Sequence, residues 1–226
     1  GDLQSVAALK EHNIPILAQA IRDGWDIVAP VPSCVLMFKQ ELPLMFPDDA
    51  DVQLVKTNIF DPFEYLVHRH KAGLLDTNFP VSLGKVAYQV ACHQRVQNIG
   101  LKTKDVLSLI PGTEVKAIER CSGHDGTYAV RKETFERAMK IVKPVVNQVK
   151  QFDPTAYTSD CPMAGSHIAH GLGDDQEPLH PLSLLPMATE YALLALLPPL
   201  AVFLVTLSLR ETALRKCVYL FVAFGA

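Results

Sequence analysis

Apolar and polar positions along this chain follow helical and strand periods in turn. Residues Leu3 to Asp23 carry apolar side chains at helical spacing and predict a helix that stops at Gly24. The apolar run from Asp26 to Val31 predicts a strand. Ser33 is placed to cap a second helix, which Pro43 would end. The chain therefore begins with helix, strand and helix.

The alternation continues beyond this point. Asp61 and Pro62 predict the cap and first turn of a helix that runs to about Lys71. After a loop at residues 80–84, we predict strands over 85–91 and 114–118, a strand and turn over 155–161, and helices over 103–109 and 131–150. Strands that alternate with helices are typical of a parallel α/β fold.

Three cysteines follow predicted strands. Cys92, Cys121 and Cys161 each come after a short apolar or β-prone run and before residues typical of loops or helix starts. Because the carboxyl ends of parallel strands meet at one edge of a sheet, we expect all three thiols there.

Composition narrows the class of protein. The chain has 226 residues, 49% of them hydrophobic, which is enough for a core, and 21 basic against 24 acidic residues give a formal charge of −3. No basic block is present in the sequence, which argues against a nucleic-acid partner. Five cysteines, without a signal peptide in this sequence, indicate a reducing, cytoplasmic setting in which thiols are kept for metal.

Two stretches of the chain share one order of elements. A glycine, a helical segment, a strand and a cysteine follow one another from Gly1 to Cys34 and again from Gly126 to Cys161, over 33 and 35 residues. We interpret this as an internal repeat whose first copy lacks its front half, so that the chain is a fragment of a longer protein.

The residues around the three cysteines carry a resemblance. They are Ala91-Cys92-His93, then Cys121-Ser122-Gly123 after 28 residues from Cys92, then Cys161-Pro162-Met163-Ala164, with 38 residues between Ser122 and Cys161. This pattern resembles the cysteine-rich CCG domain of heterodisulfide reductase subunits and of the C subunit of anaerobic glycerol-3-phosphate dehydrogenase. The likeness covers most of residues 1–185. Ser122 stands where that family has the second cysteine of its pair, and Ala164 where it has the last cysteine.

The resemblance implies a fold and a site. The fold would be α/β with two parallel cysteine-rich repeats: an incomplete one over residues 1–80, a second over 81–187, and an apolar helical tail over 188–226. An iron–sulfur cluster, of the 4Fe-4S kind, would be held by Cys92, Cys121 and Cys161. A fourth ligand could come from Cys34, His93 or His124, or from water or substrate. The glycines Gly123 and Gly126 would let backbone amides approach the cluster sulfurs.

The resemblance also implies a role as part of an oxidoreductase complex, rather than a stand-alone enzyme. Such a component relays electrons between a flavin-bearing dehydrogenase or reductase partner and a membrane acceptor such as the quinone pool. It would be cytoplasmic or attached to the inner face of the cell membrane. Three alternatives stay open: a zinc ion on the same thiols and a histidine, a metal-free structural docking module, and a redox-active thiol pair.

Other candidate residues have weaker signals. Cys34, at a predicted helix start, is either a thiol whose pKa is lowered by the exposed amide groups or a buried cysteine that packs at the start of the helix. We expect His167 and His170 to be solvated, with a role as hydrogen-bond donors to the site as the alternative. His180 is expected to fix the return of the chain instead of binding metal.

The last part of the chain departs from the rest in composition. Tyr191 to Leu209 is 19 residues without a charge, interrupted by Pro198 and Pro199. Arg210 and the basic pair that follows it would lie in the cytoplasm and place the cysteine domain outside, contrary to its chemistry. A membrane anchor, half of a hairpin, or an ending foreign to the family are the readings left open.

Overall fold

The computed structural model describes residues 2–173 and 178–189 in full, and the backbone of residues 217–219. The helices are α1 Leu3–Arg22, α2 Pro32–Leu36, α3 Leu42–Met45, α4 Ala50–Asn58, α5 Pro62–Lys71, α6 Cys92–Val96, α7 Lys102–Leu107, α8 Lys132–Phe152, α9 Pro162–Leu172 and α10 Pro181–Met187. A π-helical stretch, Met37–Glu41, joins α2 to α3. The strands are β1 Asp26–Val28, β2 Ile59–Phe60, β3 Lys85–Gln89, β4 Glu114–Ile118, β5 Ala156–Ser159 and β6 Cys217–Tyr219.

These strands form two sheets of three strands each. The first has the order β2-β1-β6 and the second the order β4-β3-β5, and every pair of neighbours is parallel. Helices alternate with the strands along the chain, so the predicted mixed α/β class with parallel strands is confirmed.

The first helix forms as its sequence predicts. The Asp2 carboxylate accepts the Ser5 amide hydrogen at 3.1 Å and starts α1, and Gly24, with φ of +87°, follows its end. Ile14 and Leu17 on its inner face pack in one core with Ile27 of β1. This core fixes α1 against the first sheet.

Two details of the second predicted helix are wrong. Val31, not Ser33, is the N-cap of α2, because Pro32 takes the first helical position, where a missing amide hydrogen costs nothing. Pro43 does not end the helical region. The wide turn at Met37–Glu41 restarts the helix at Leu42, so that Pro43 falls in a first turn, which tolerates it.

The next two elements, α4 and β2, were missed by the sequence pattern. Only Val52 and Val55 of α4 are fully buried, so its apolar period is weak. The helix begins because the Asp49 carboxylate accepts the amide hydrogens of Asp51 and Val52.

The helix predicted from Asp61 and Pro62 is confirmed as α5. Asp61 accepts the Phe63 amide hydrogen at 2.9 Å, and Glu64 accepts the Asp61 amide hydrogen at 3.3 Å, which completes a capping box. Leu66 of this helix is buried in the core with Val28 of β1.

The second half follows the predicted order. β4 has the predicted bounds, β3 ends two residues early, and α8 begins one residue late, after Arg131. Buried valines line one face of α8, which packs against α9 and the second sheet. The helix ends at Asp153, whose φ of +48° turns the chain back toward β5.

Helix α10 joins the two halves of the chain. Leu182 packs with Val28 and Phe63 of the first half, while Leu184 packs with Val86 and Leu107 of the second. The Gln97 side chain also donates to the Pro32 carbonyl oxygen at 3.0 Å. The halves therefore share apolar core and polar contacts.

The described elements test only part of two predictions, the internal repeat and the apolar helical tail. The helix–strand–helix orders α1–β1–α2 and α8–β5–α9 both carry a cysteine at the start of the last helix, but the repeat and its domain bounds stay predictions. The tail is strand, not helix, at residues 217–219, where β6 pairs with β1. Tyr191–Leu209 lies outside the described residues, and within those described no helix is long and apolar enough to cross a membrane.

Candidate functional site

One row of the second sheet sets the positions of the three predicted cysteines. Gln89 of β3 is the register partner of Ile118 in β4 and of Ser159 in β5, so these three residues lie side by side. Cys92, Cys121 and Cys161 follow this row by three, three and two residues. The expectation that the three would reach one edge of a sheet is therefore met.

Cys92 is the first residue of α6 and is exposed. Burial of part of the thiol raises its pKa, and the charge of the Cys121 thiol raises it further. The Arg95 guanidinium acts in the opposite direction, and the charge of Cys161 adds to the increase. The three thiols are thus close enough to influence one another.

A buried glutamine ties together the loops that carry these cysteines. The Gln89 amide nitrogen donates to the Val90 carbonyl oxygen at 2.8 Å and to the Arg120 carbonyl oxygen at 3.0 Å. Its oxygen accepts the Ser159 hydroxyl hydrogen at 2.7 Å, and that hydroxyl accepts the Cys161 amide hydrogen at 3.2 Å. One side chain of the central strand therefore holds the ends of all three strands.

Glycine is required in the loop after Cys121. The Gly123 amide donates to the Cys121 sulfur at 3.4 Å, and Gly123 has φ of +75°. A Cβ atom at this position would lie 2.4 Å from the Ala138 carbonyl oxygen. Gly126 also has a positive φ, of +51°, but no described atom lies within 4 Å of a Cβ there. Gly123, and not Gly126, therefore brings an amide to a thiol.

The two positions where the family pattern is broken are both buried. Ser122 is 2% exposed, and its hydroxyl accepts the His124 amide hydrogen at 3.4 Å. Ala164 is 4% exposed, on α9. These positions therefore contribute to packing.

The additional ligand candidates lie in different surroundings. Cys34 sits in the first turn of α2, as predicted, but packs against the first core, and this burial raises its pKa instead of lowering it. The Ser33 hydroxyl opposes that increase only in part. His93 is exposed on α6. The charge of His124 contributes to lowering the pKa of His167.

Two of the downstream histidines are buried. His167 was expected to be solvated, which is wrong: it is 6% exposed, on the side of α9 that faces Gly123, while His170 is exposed. Burial lowers the pKa of His167, and the nearby Ala138 carbonyl opposes this, although Nε2 has no partner at hydrogen-bond geometry among the described residues. His180 caps α10 by accepting the Leu182 amide hydrogen at 3.2 Å, so it fixes the chain return as predicted.

A buried polar network beneath the site was missed by sequence reasoning. Tyr88 donates to the Asp160 carboxylate at 2.6 Å and Thr103 donates to it at 2.8 Å. The Gln94 side-chain oxygen accepts a hydrogen bond from the Tyr88 hydroxyl. Its nitrogen donates to the Thr103 hydroxyl and, at 3.4 Å, to the Asp61 carboxylate. The only signal in the sequence was the position of Asp160 directly before Cys161.

Two carboxyl groups in this network have strongly raised pKa values. Burial, and then the charge of Asp160, raise the pKa of Asp61 to about 7. Burial raises the pKa of Asp160 to about 6, against the hydrogen bonds from Tyr88 and Thr103. The pair therefore retains a proton at a pH where exposed carboxyl groups have lost theirs.

Thiolates are the ligands that iron–sulfur clusters use, and three thiols with a backbone amide directed at one sulfur fit that chemistry. The four cysteines whose side chains are described are all free. Across the described ranges, however, no three His, Cys, Asp or Glu side chains are arranged to hold a metal ion. The donor chemistry thus fits a cluster, and the site is not preformed around one ion.

Comparison with known proteins finds relatives of low sequence identity. The chain is 25% identical over 178 residues to the C subunit of anaerobic glycerol-3-phosphate dehydrogenase from Escherichia coli strain K12 and, equally, from strain O157:H7. It is a distant relative of these proteins. The match covers 78% of this chain and 44% of each relative, so the chain spans less than half of their length. No protein-family model matches the chain.

Proposed function

We propose that this chain is an electron-transfer component of an oxidoreductase complex, or part of one, in which Cys92, Cys121 and Cys161 hold an iron–sulfur cluster. The observation that carries the proposal is the arrangement of the three thiols just beyond one row of the sheet, with the Gly123 amide directed at the Cys121 sulfur. The similarity to the C subunit of a dehydrogenase supports it independently of the geometry.

The chain's own residues would bind and tune the cluster. The Gly123 amide would donate to the Cys121 sulfur, and such hydrogen bonds raise the reduction potential of a cluster by stabilising negative charge. Gln89 would keep the three ligand loops at a constant separation. When bound, a cluster supplies one-electron transfer without transforming a substrate itself.

The partners follow from the role. We infer a flavin-bearing dehydrogenase or reductase as the electron donor, and a membrane acceptor such as the quinone pool, with the protein on the cytoplasmic side. Exposed apolar side chains next to the site, Val96 on α6 and Met163 on α9, are suited to contact such a partner.

The test is anaerobic purification followed by analysis of iron, sulfide and zinc. Electron paramagnetic resonance spectra are recorded before and after reduction with dithionite. We expect stoichiometric iron and sulfide and a reducible signal, which Cys121→Ser abolishes and Cys34→Ser leaves unchanged.

Other results would decide against the cluster. Zinc alone, or folded protein without metal, would leave a zinc-bound or metal-free docking module as the function. A signal that survives in Cys121→Ser and disappears in Cys34→Ser would place the site in the first half of the chain.

A further inference from the structure

One exposed side of α8 carries positive charge only. After its two glutamates, which lie in the first two turns, the helix has four basic residues and no acidic one. All four are exposed: Arg137, Lys140, Lys143 and Lys150. The valines on the opposite side of the helix are buried against the second sheet and α9, so the basic side faces solvent.

The charge of this side is not neutralised by its surroundings. Within the described part of the chain, none of the four basic residues takes part in an ion pair. Helix α9, which packs beside α8, contains no acidic residue. Residues 131–150 include six basic and two acidic residues, a charge of +4, whereas the whole chain has −3, so the remainder has −7. Positive charge is therefore concentrated on one helix of an acidic protein.

The stability of the helix does not account for this pattern. Arg137, Lys140 and Lys143 follow one another at intervals of three residues, where like charges repel. Ile141, which is 42% exposed, and Pro144, also exposed, lie among them on the same side. Unpaired cations mixed with exposed apolar side chains are typical of helices that bind the surface of an anionic membrane.

We propose that this side of α8 docks on a membrane surface that contains anionic lipids. Arg137 to Lys150 extend over about 20 Å of helix, so the four cations form a stripe that a flat surface can contact along its length. Lipid headgroups rearrange to meet separated cations, so no matched pocket is needed. The inference rests on the proposed function, because it names the surface through which an electron carrier would reach a membrane acceptor.

The test is sedimentation of the full chain with vesicles. Vesicles of phosphatidylcholine with one quarter phosphatidylglycerol supply anionic headgroups, and vesicles of phosphatidylcholine alone are the neutral comparison. We expect the chain to bind the anionic vesicles at 0.1 M salt and to bind them about tenfold more weakly at 1 M salt, because the Debye length falls from about 10 Å to about 3 Å.

Matched variants locate the contact. Lys140→Gln with Lys143→Gln should weaken binding to anionic vesicles by roughly 10- to 30-fold, since each lysine near such a surface contributes about fivefold. Lys140→Arg with Lys143→Arg keeps both charges and should bind like wild type. Lys56→Gln with Lys71→Gln removes two exposed lysines from α4 and α5, and should change binding by less than about twofold because distant charges are screened. Circular dichroism shows whether each variant is folded.

Two sequence features are common to every variant compared. The uncharged stretch 191–209 and the acidic residues Asp174, Asp175 and Glu177 lie outside the described residues. Attachment through the uncharged stretch would appear equally with neutral vesicles. The difference between the two kinds of vesicle, and between the two glutamine pairs, therefore reports the basic side of α8.

Equal binding to neutral and anionic vesicles, or equal loss in the two glutamine pairs, would overturn the proposal. Absence of binding to either kind of vesicle would also overturn it, and would leave an acidic protein surface as the occupant of this side of α8. The measurement needs no cluster. Protein that contains iron and sulfide but ignores vesicles would refute only the docking surface, and vesicle binding by protein without iron would refute only the electron carrier.

Discussion

Gln89 is the residue on which the arrangement of the candidate site depends most. Its side chain is 2% exposed and bonds to the loop after β3, the loop after β4 and the end of β5. Buried amide groups are costly unless all partners are present, so the three loops can shift relative to one another only by breaking these bonds.

We predict that Gln89→Ala lowers the free energy of unfolding by about 1–3 kcal/mol, since it leaves the Val90 and Arg120 carbonyl oxygens without their donor. Urea denaturation measures this loss. Amide hydrogen exchange over residues 119–124 should become faster, because that loop loses its tie to β3. Gln19→Ala, at an exposed glutamine on α1, is the matched control and should change stability by less than about 0.5 kcal/mol. Equal effects of the two substitutions would contradict the role of Gln89.

Gly123 gives a second prediction at this scale. A left-handed backbone costs an ordinary residue about 1–2 kcal/mol, and Gly123→Ala should destabilise the protein by more than this, because its Cβ would also meet the Ala138 carbonyl oxygen. Gly126 also has a positive φ, but a Cβ there would meet no described atom. Gly126→Ala should therefore cost only the free energy of the left-handed backbone. Thermal unfolding of both variants measures the difference, and a Gly126 variant that is the less stable of the two would contradict the close contact.

The cysteines could be predicted from the sequence because strand ends in a parallel sheet converge whatever the details of the loops. Gln89 and Asp160 could not, because the burial of a polar side chain depends on what packs around it; the position of Asp160 before Cys161 places it near the site but does not predict that it is buried. His167 was misjudged for the same reason, since its burial depends on where α8 and Gly123 pack against α9.

At the scale of elements, two helices begin with an aspartate in opposite environments. Asp61 caps α5 and is fully buried near Asp160, whereas Asp49 caps α4 and pairs with Lys10 at 2.6 Å. Burial raises the pKa of Asp61, and the Lys10 hydrogen bond lowers the pKa of Asp49. The stability that Asp61 contributes is therefore lost as pH rises, whereas the stability that Asp49 contributes is lost as pH falls.

We predict that Asp61→Asn becomes more stable relative to wild type as pH rises from about 4 to 8. The folded pKa of Asp61 is about 7 against 3.8 for the exposed group, so its contribution is full below 3.8 and is lost as pH rises through 7. Asparagine also caps helices but does not ionise. The difference should reach at least about 1 kcal/mol, because one pKa unit is worth about 1.4 kcal/mol. Urea denaturation at several pH values measures it.

Asp49→Asn is the control with the reverse sign. The lowered pKa of Asp49 gives stability above pH 3.8 that is lost as pH falls, so this variant should lie closest to wild type in acid. The pH dependence of wild-type stability does not isolate Asp61, because His180 also contributes to it. Burial lowers the pKa of His180 to about 4, so the stability that its neutral form gives is lost as pH falls from 6.5 through 4. A flat difference between Asp61→Asn and wild type would contradict the raised pKa.

Element boundaries were predictable where caps and apolar periods agree, as in α1 and α5. The boundary predicted at Pro43 was wrong, because the sequence does not show that a π-helical turn precedes this proline and restarts the helix. The short strand β2 depends on pairing with β1 and has no local signal of its own.

At the scale of the whole molecule, the two halves should unfold together. Leu182 and Leu184 of α10 bury apolar surface in both, and Asp61 of the first half shares a network with Asp160 of the second. Trp25, the chain's one tryptophan, lies in the first half, so its fluorescence reports that half, while circular dichroism reports helices of both.

We predict coincident urea transitions by these two probes. Leu182→Ala should lower both midpoints together, with a loss of about 2–5 kcal/mol for a buried leucine. The exposed Leu74 gives the matched control, since Leu74→Ala should leave both midpoints nearly unchanged. Separate midpoints for the two probes would mean that the halves are independent.

The tie made by Gln89 has a consequence for protein design. Anyone who wishes to transplant the three thiols onto another parallel sheet has to copy the row of Gln89, Ile118 and Ser159 together with the number of residues that separates it from each cysteine. The rest of each loop could then be replaced, provided that a glycine is kept at the position of Gly123. The portable unit is therefore a cross-section of the sheet, and not a continuous motif that a sequence search could recognise.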